Sequence, residues 1–290
     1  MLAGYFTKPY IESWGGVFAL KQFIKKKFDR LIIPYLVSYG LLILWSLIPA
    51  ICKHDWHMPV RHLLSVLWGG YTSMGYGIFG PYFEGIRISY MWFLLALFWG
   101  LLALYLLSKW PKILLMGGFL ISISACVLYP YIGDYVPWNI LQGLGAMQFL
   151  AIGHWLRSHK LPQWVWWICI VCWLVEIYYS GISMAFNAYS CYPLDVLGAL
   201  GGTYCLYWFS YGLSKLRFMS RVLLYIGSIS MAVLCFHTIE PLTDIFISIR
   251  IRSAFFMQLP DLIWVGIRYC AVLVSAIIFT KLPFFRKIYH

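Results

Sequence analysis

Between Tyr90 and Ser108 the sequence reads YMWFLLALFWGLLALYLLS, nineteen residues without a charge. At about 1.5 Å per residue a helix of that length measures about 28 Å, close to the roughly 30 Å hydrocarbon core of a bilayer. The run does not alternate. Phe93 to Phe98 is six apolar residues in a row, unlike the alternating ten-residue strands of a membrane barrel. The same texture pervades the chain: of 290 residues 62% are apolar, 20% aromatic and 11% charged, with a mean hydropathy of +0.78. A soluble domain is about 25% charged, and one core of this size cannot hide so much apolar surface. Soluble enzymes, disordered tails, secreted disulfide scaffolds and nucleic-acid readers are therefore poor fits. The class expected is all-α, a polytopic helical protein integral to the plasma (inner) membrane.

Outward from 90–108, apolar windows predict eight spans, at about 31–51, 90–108, 113–131, 136–156, 164–182, 192–213, 222–240 and 262–280, in a single membrane domain over 1–290. Trp110-Pro111 and Leu161-Pro162 fall between spans, where the groups that proline leaves unpaired meet water. Charge tests the segmentation. With the basic stretch Lys21 to Arg30 taken as cytoplasmic, the inner segments hold 16 Lys and Arg, the outer segments five (Lys53, Arg61, Arg87, Arg250 and Arg252), and Arg268 lies within a span. That asymmetry is what the positive-inside rule requires, and it places both termini in the cytoplasm. His62 to Phe83 is apolar but carries Gly69, Gly70, Gly75, Gly77 and Gly80. We read 52–89 as one outer-side segment, re-entrant or lying in the interface. Met1 to Thr7 is too short for a cleavable signal peptide.

Eight cysteines form no disulfide framework, since six fall within spans. Cys169 and Cys172 have redox-motif spacing but lack basic neighbours to activate a thiol, so inert packing is expected. Cys52 and Cys191 both lie near the outer face, and whether they pair is open. No phosphate-binding glycine loop, nucleophile elbow or metal-ligand spacing occurs, so no metal or bound cofactor is expected. Gly198-Ala199-Leu200-Gly201-Gly202 is read as close helix packing.

Ionisable groups inside spans are costly and functional by default. Glu176, Asp195, His237 and Arg268 come from four spans and share a similar outer-side depth, with Glu240 one turn beyond His237. Two readings stand: Glu176 or Asp195 paired with Arg268 for structure, or a polar outer cavity in which His237 is suited to proton transfer near neutral pH. On the inner side Lys25, Lys26, Lys27 and Arg30 precede the first full span. They serve topology and anionic lipid, or they receive an anionic substrate, Arg being the better bidentate phosphate partner. His154, near the inner end of its span, is expected to be a satisfied interfacial histidine.

Leu2-Ala3-Gly4-Tyr5-Phe6-Thr7-Lys8-Pro9, followed by Phe28-Asp29-Arg30-Leu31-Ile32-Ile33-Pro34, resembles the (F)LSGYFxKP…KRxxRLLxPY stretch of the integral-membrane acyltransferase 3 family. Met91-Trp92-Phe93-Leu94 looks like that family's YxWFLxAL span, and Gly227-Ser228-Ile229-Ser230-Met231 with His237 is similar to its late G-x-x-S-M…H segment. The resemblance implies ten spans and transfer of an acyl group, commonly acetyl, from cytoplasmic acyl-CoA to a sugar or glycolipid at or beyond the outer face. Acyl-CoA is then a co-substrate, and membrane lipid and the glycan acceptor are the other partners. By resemblance Arg30, with Lys25 and Lys27, becomes a candidate for the CoA phosphates. Ala3 stands where the family usually has Ser. The family's catalytic constellation, a basic residue followed eleven positions later by His, would lie upstream of Met1, so the chain is expected to lack the first span and most of the second. No residue here inherits that role. Two alternatives come from other classes: a polysaccharide or lipid-linked-sugar exporter or flippase, disfavoured by the absence of sequence repeats and of paired broken helices, and an inactive partner subunit.

Overall fold

The computed structural model describes residues 2–6, 17–53, 56–68, 91–179, 181–236, 261–283, 285 and 288. Among them every regular element is helical, and the one β-type contact is an isolated bridge between Ser183 and Ala188. The helices are α1 (Leu2–Phe6), α2 (Val17–Lys27), α3 (Ile33–Lys53), α4 (His57–Trp68), α5 (Trp92–Leu107), α6 (Leu114–Ile132), α7 (Ile140–Gly145), α8 (Met147–Leu156), α9 (Gln163–Tyr179), α10 (Tyr192–Ser214), α11 (Arg217–Ser228), α12 (Ser230–Phe236) and α13 (Asp261–Lys281). A single π-helical turn, Phe28–Ile32, joins α2 to α3. Among the described residues α6 alone is long and apolar enough to cross a bilayer by itself, and α11 with α12 qualifies if the bent pair is one span. The apolar helices α5 and α9 are shorter.

Each apolar window of the sequence carries a helix or a helix pair, but two windows are not continuous. The window 136–156 opens with a 3-10 turn at Pro137–Asn139, where Trp138 and Asn139 take positive φ of 60° and 52°, and it breaks again at Ala146 between α7 and α8. Pro137 lacks an N–H, Asn tolerates the left-handed region, and Gly143 and Gly145 weaken the helix between them. The window 222–240 starts earlier, at Arg217, and bends by 59° at Ile229. There the hydroxyls of Ser228 and Ser230 donate to the carbonyls of Tyr225 and Gly227 at 2.7 and 2.9 Å, and such back-bonding beside a glycine bends helices. The spans expected to run continuously over 136–156 and 222–240 are therefore each interrupted. Of the segment 52–89, α4 is described and 69–90 lies outside the described residues, as do His237 and Glu240.

The main core gathers on α5. Met91, Leu94, Leu95 and Leu104 are fully enclosed against Ile32, Tyr35 and Tyr39, and the Tyr35 hydroxyl donates to the Val66 carbonyl at 3.1 Å. Phe23 of α2 stacks on Tyr105 with ring centroids 4.3 Å apart. In lipid the close approach of backbones replaces hydrophobic burial as the source of packing. Gly100 of α5 and Gly143 of α7 face each other, and a Cβ on Gly143 would strike the Ala96 carbonyl.

Candidate functional site

The turn at 108–113 sets the C-terminal end of α5 beside the N-terminal end of α6. α2 packs on that end of α5 through Phe23 and Tyr105, while Tyr129 and the polar residues described next lie toward the other end of α6. From Leu114 to Tyr129, α6 rises by about 22 Å between them.

At the far end a hairpin, 181–191, closed by the Ser183–Ala188 bridge, folds over α6 and α7. Asn187 takes a left-handed φ of 48°, and its amide donates to the Leu141 carbonyl at 2.8 Å. Gln142 donates to the Ala185 carbonyl at 3.2 Å, and the Tyr129 hydroxyl shares that acceptor at 3.2 Å. One helix along, Gln148 is wholly buried; it donates to the Tyr189 hydroxyl at 3.0 Å and accepts from Tyr192. Burial, with the Cys126 thiol nearby, pushes the Tyr189 phenol up from its ordinary value, so it stays a neutral hydrogen-bonding group. Sequence reading weighed only charged side chains and missed these amides. The available signal was Gln142 and Gln148, two primary amides in one apolar window.

The same region holds the two acidic candidates. Asp195, in the first turn of α10, is fully buried and accepts the Cys191 N–H at 3.0 Å. A helix leaves its first N–H groups unsatisfied and its N-terminus partly positive, so a carboxylate there is well placed. Glu176 sits one turn from the end of α9, with its carboxylate against Gly198 and close enough to Asp195 for the two charges to interact. The structure thus brings Glu176 and Asp195 together. The Arg268 side chain, His237 and Glu240 fall outside the described residues.

Glycine makes that proximity possible. Gly198 lies against Glu176, Gly201 against the Cys169 carbonyl, and Gly202 against the Trp173 indole. The packing reading of Gly198–Gly202 holds, and Cys169 is a buried packing residue. Cys191 is exposed, and the Cys52 side chain lies outside the described residues.

At the opposite end Lys25, Lys26 and Lys27 occupy the last turn of α2, where a helix C-terminus favours cations, and Arg30 follows in the π turn. Lys25, Lys26 and Arg30 are exposed. Lys27 is half-buried with its Nζ 5.6 Å from the centre of the Phe23 ring. Burial first, then the charges of Arg30 and Lys26, lower its pKa from the ordinary value. Arg30 and Lys27 therefore share one electrostatic neighbourhood, suited to an anion. His154 departs from expectation, because its Nδ1 is buried without a hydrogen-bond partner among the described residues.

What the arrangement can do follows from its parts. One end offers clustered cations, and the other offers two carboxylates beside phenols and amides, the donor and acceptor set that sugar hydroxyls require. The motif residues frame both: Gly4 packs on the Leu150 backbone, Arg30 lies in the π turn, and Gly227 to Met231 form the α11–α12 bend. No curated protein and no solved structure matches the chain. The profile of the acyltransferase domain family, the acyltransferase 3 family of the resemblance above, matches residues 1–281. The chain belongs to that family, a family of membrane acyltransferases.

Proposed function

We propose that the chain takes part in moving an acyl group, acetyl being the family's common choice, from cytoplasmic acyl-CoA to a hydroxyl of a cell-surface or lipid-linked sugar. Lys25, Lys27 and Arg30 hold the CoA phosphates. Glu176 and Asp195, with Gln148 and the two tyrosines, receive the sugar at the outer side. The observation that carries this reading is the separation of a cationic end from a carboxylate-and-amide end along α6. No residue of 1–290 is assigned the proton transfer, since none matches the family's basic-to-His constellation. By this reading the protein is integral to the plasma (inner) membrane with both ends of the chain cytoplasmic.

The test is acylation of surface glycan in cells expressing the gene from its own locus, with labelled acetyl-CoA followed in membranes. Deletion removes the label from glycan, and re-expression restores it. Unchanged glycan acylation after deletion overturns the proposal. A second reading, a glycan exporter, draws support from the helix pair α11–α12, bent by 59° at Ile229, since broken helices line transporter sites. It predicts loss of glycan from the surface on deletion, with the acylation of intracellular glycan unaltered.

A further inference from the structure

We infer that the groove between α9 and α10 is a binding site for one anionic phospholipid, independent of the acyl-transfer reading. The groove has a volume of about 490 Å³ and is walled by Trp166, Trp167, Ile170, Tyr204, Cys205 and Trp208. Trp166 stacks on Tyr204 at 4.3 Å and 13°, and Gln163 donates to the Tyr204 hydroxyl at 3.4 Å. Trp167 and Trp208 present 61% and 50% of their surface outward, so they are not core residues.

The aromatic wall continues along one face of α10. Tyr204, Trp208, Tyr211 and Lys215 follow at spacings of four, three and four, which keeps them in one row. Ring centroids lie 6.2 Å apart from Tyr204 to Trp208 and 5.6 Å from Trp208 to Tyr211. The Lys215 Nζ ends the row, 4.7 Å over the Tyr211 ring. Eleven residues from Tyr204 to Lys215 span about 16 Å at 1.5 Å each, about half of the roughly 30 Å hydrocarbon core. The row is therefore one leaflet long, with a cation at its end.

That end is basic on both helices. Arg157 and Lys160 lie in the turn before α9, and Lys215 and Arg217 follow α10. No acidic residue occurs between Asp134 and Glu176, or between Asp195 and Glu240. An acyl chain lying on the aromatic row and a phosphate at the lysines satisfy both halves. A zwitterionic lipid brings no net charge to the cations, and free phosphate leaves the rings uncovered. Basic pockets between membrane helices take anionic headgroups for this reason.

The experiment titrates brominated phosphatidylglycerol and brominated phosphatidylcholine separately into the purified full chain in detergent, reading tryptophan emission, with bound lipid counted by native mass spectrometry. Phosphatidylglycerol is expected to quench saturably at one lipid per chain, whereas phosphatidylcholine quenches weakly and without saturation. Lys160→Gln and Lys215→Gln each weaken phosphatidylglycerol about fivefold, the effect of one surface charge. Both lysines are exposed, so the variants should elute as the parent does, and the comparison of the two lipids on the parent chain decides the matter without them. Equal quenching by the two lipids overturns the site. So does displacement of phosphatidylglycerol by palmitoyl-CoA at lower concentrations than the lipid itself needs, which would make the groove an acyl-CoA site.

Discussion

Substituting Gly201 by alanine tests the packing that positions Glu176 and Asp195. A Cβ built on Gly201 overlaps the Cys169 carbonyl and stands 2.8 Å from the Ile170 nitrogen. These are backbone atoms, so no side-chain rotation relieves the clash, and heavy atoms need about 3.5–4.0 Å. α9 must therefore withdraw from α10 by about 1 Å, a gap that forfeits a quarter to a half of each dispersion contact it opens. The contacts at stake include Glu176 on Gly198, Trp173 on Gly202 and the Trp166–Tyr204 stack. Overpacking costs about 1–3 kcal/mol, and a backbone clash belongs at the upper end. At about 2–4 °C per kcal/mol for a large domain, Gly201→Ala should melt about 6–12 °C lower, read by fluorescence-detected size exclusion in detergent after heating. Gly212 supplies the control, because it sits about three turns further along α10, with nothing within 4 Å of its Cβ position. Gly212→Ala gains the helix preference of alanine, about 0.5–1 kcal/mol, and should melt slightly higher. Were the two variants to melt together, α9 and α10 would not meet through Gly201, and the carboxylate pair would lose its structural basis.

Arg30→Ala should raise the KM for acyl-CoA about tenfold or more, since a charge-assisted bond contributes about 1.5–3 kcal/mol, and leave the KM for acceptor nearly unchanged; equal effects on both would remove Arg30 from CoA binding. Gln148→Leu leaves the Tyr189 and Tyr192 hydroxyls short of a partner and should cost about 1–3 kcal/mol, seen as a lower melting midpoint that Gln148→Glu partly restores. Lys27 holds a pKa below its unfolded value of 10.5, so the folded state binds fewer protons and stability rises with pH through that interval. Lys27→Met should accordingly melt higher than the parent at pH 7, with the difference shrinking as pH approaches 10.5; a difference independent of pH would contradict the burial account. Glu176→Gln should hold or raise the melting midpoint while abolishing glycan acylation, whereas Asp195→Asn should lower the midpoint, both read by the same heating assay and by labelled acetyl transfer.

Helix positions were legible because runs such as 90–108 and 113–131 are largely apolar and carry no charge, and hydropathy reports such runs directly. The breaks at Ala146 and Ile229 were not, because Gly143, Gly145, Gly227 and Ser228 barely change the hydropathy of a window while removing helix preference and adding a competing hydroxyl. The Gly198–Gly202 contact was legible because small residues four apart need no knowledge of the partner helix. The hairpin 181–191 was hidden, since its function is to bring Asn187 and Tyr189 to residues more than forty positions away in Leu141 and Gln148. Neutral amides were hidden too, because a search for charge passes over glutamine.

The two carboxylates are not alike, and the difference bears on what the site does. Asp195 has a local reason to exist: it takes the Cys191 N–H in the first turn of α10, where the helix N-terminus favours a negative group. Its burial is the ordinary consequence of capping a helix inside a packed protein. Glu176 stands in a different setting. It stands inside α9 with its carboxylate against Gly198, and the like charge of Asp195 acts on it. Two neighbouring carboxylates repel, and in a low-dielectric surrounding they repel more strongly than in water. On the proposed reading, sugar hydroxyls that donate to both carboxylates spread their charge and relieve this repulsion. On that reading, Glu176 rather than Asp195 is thus the carboxylate whose like-charge repulsion a bound acceptor relieves.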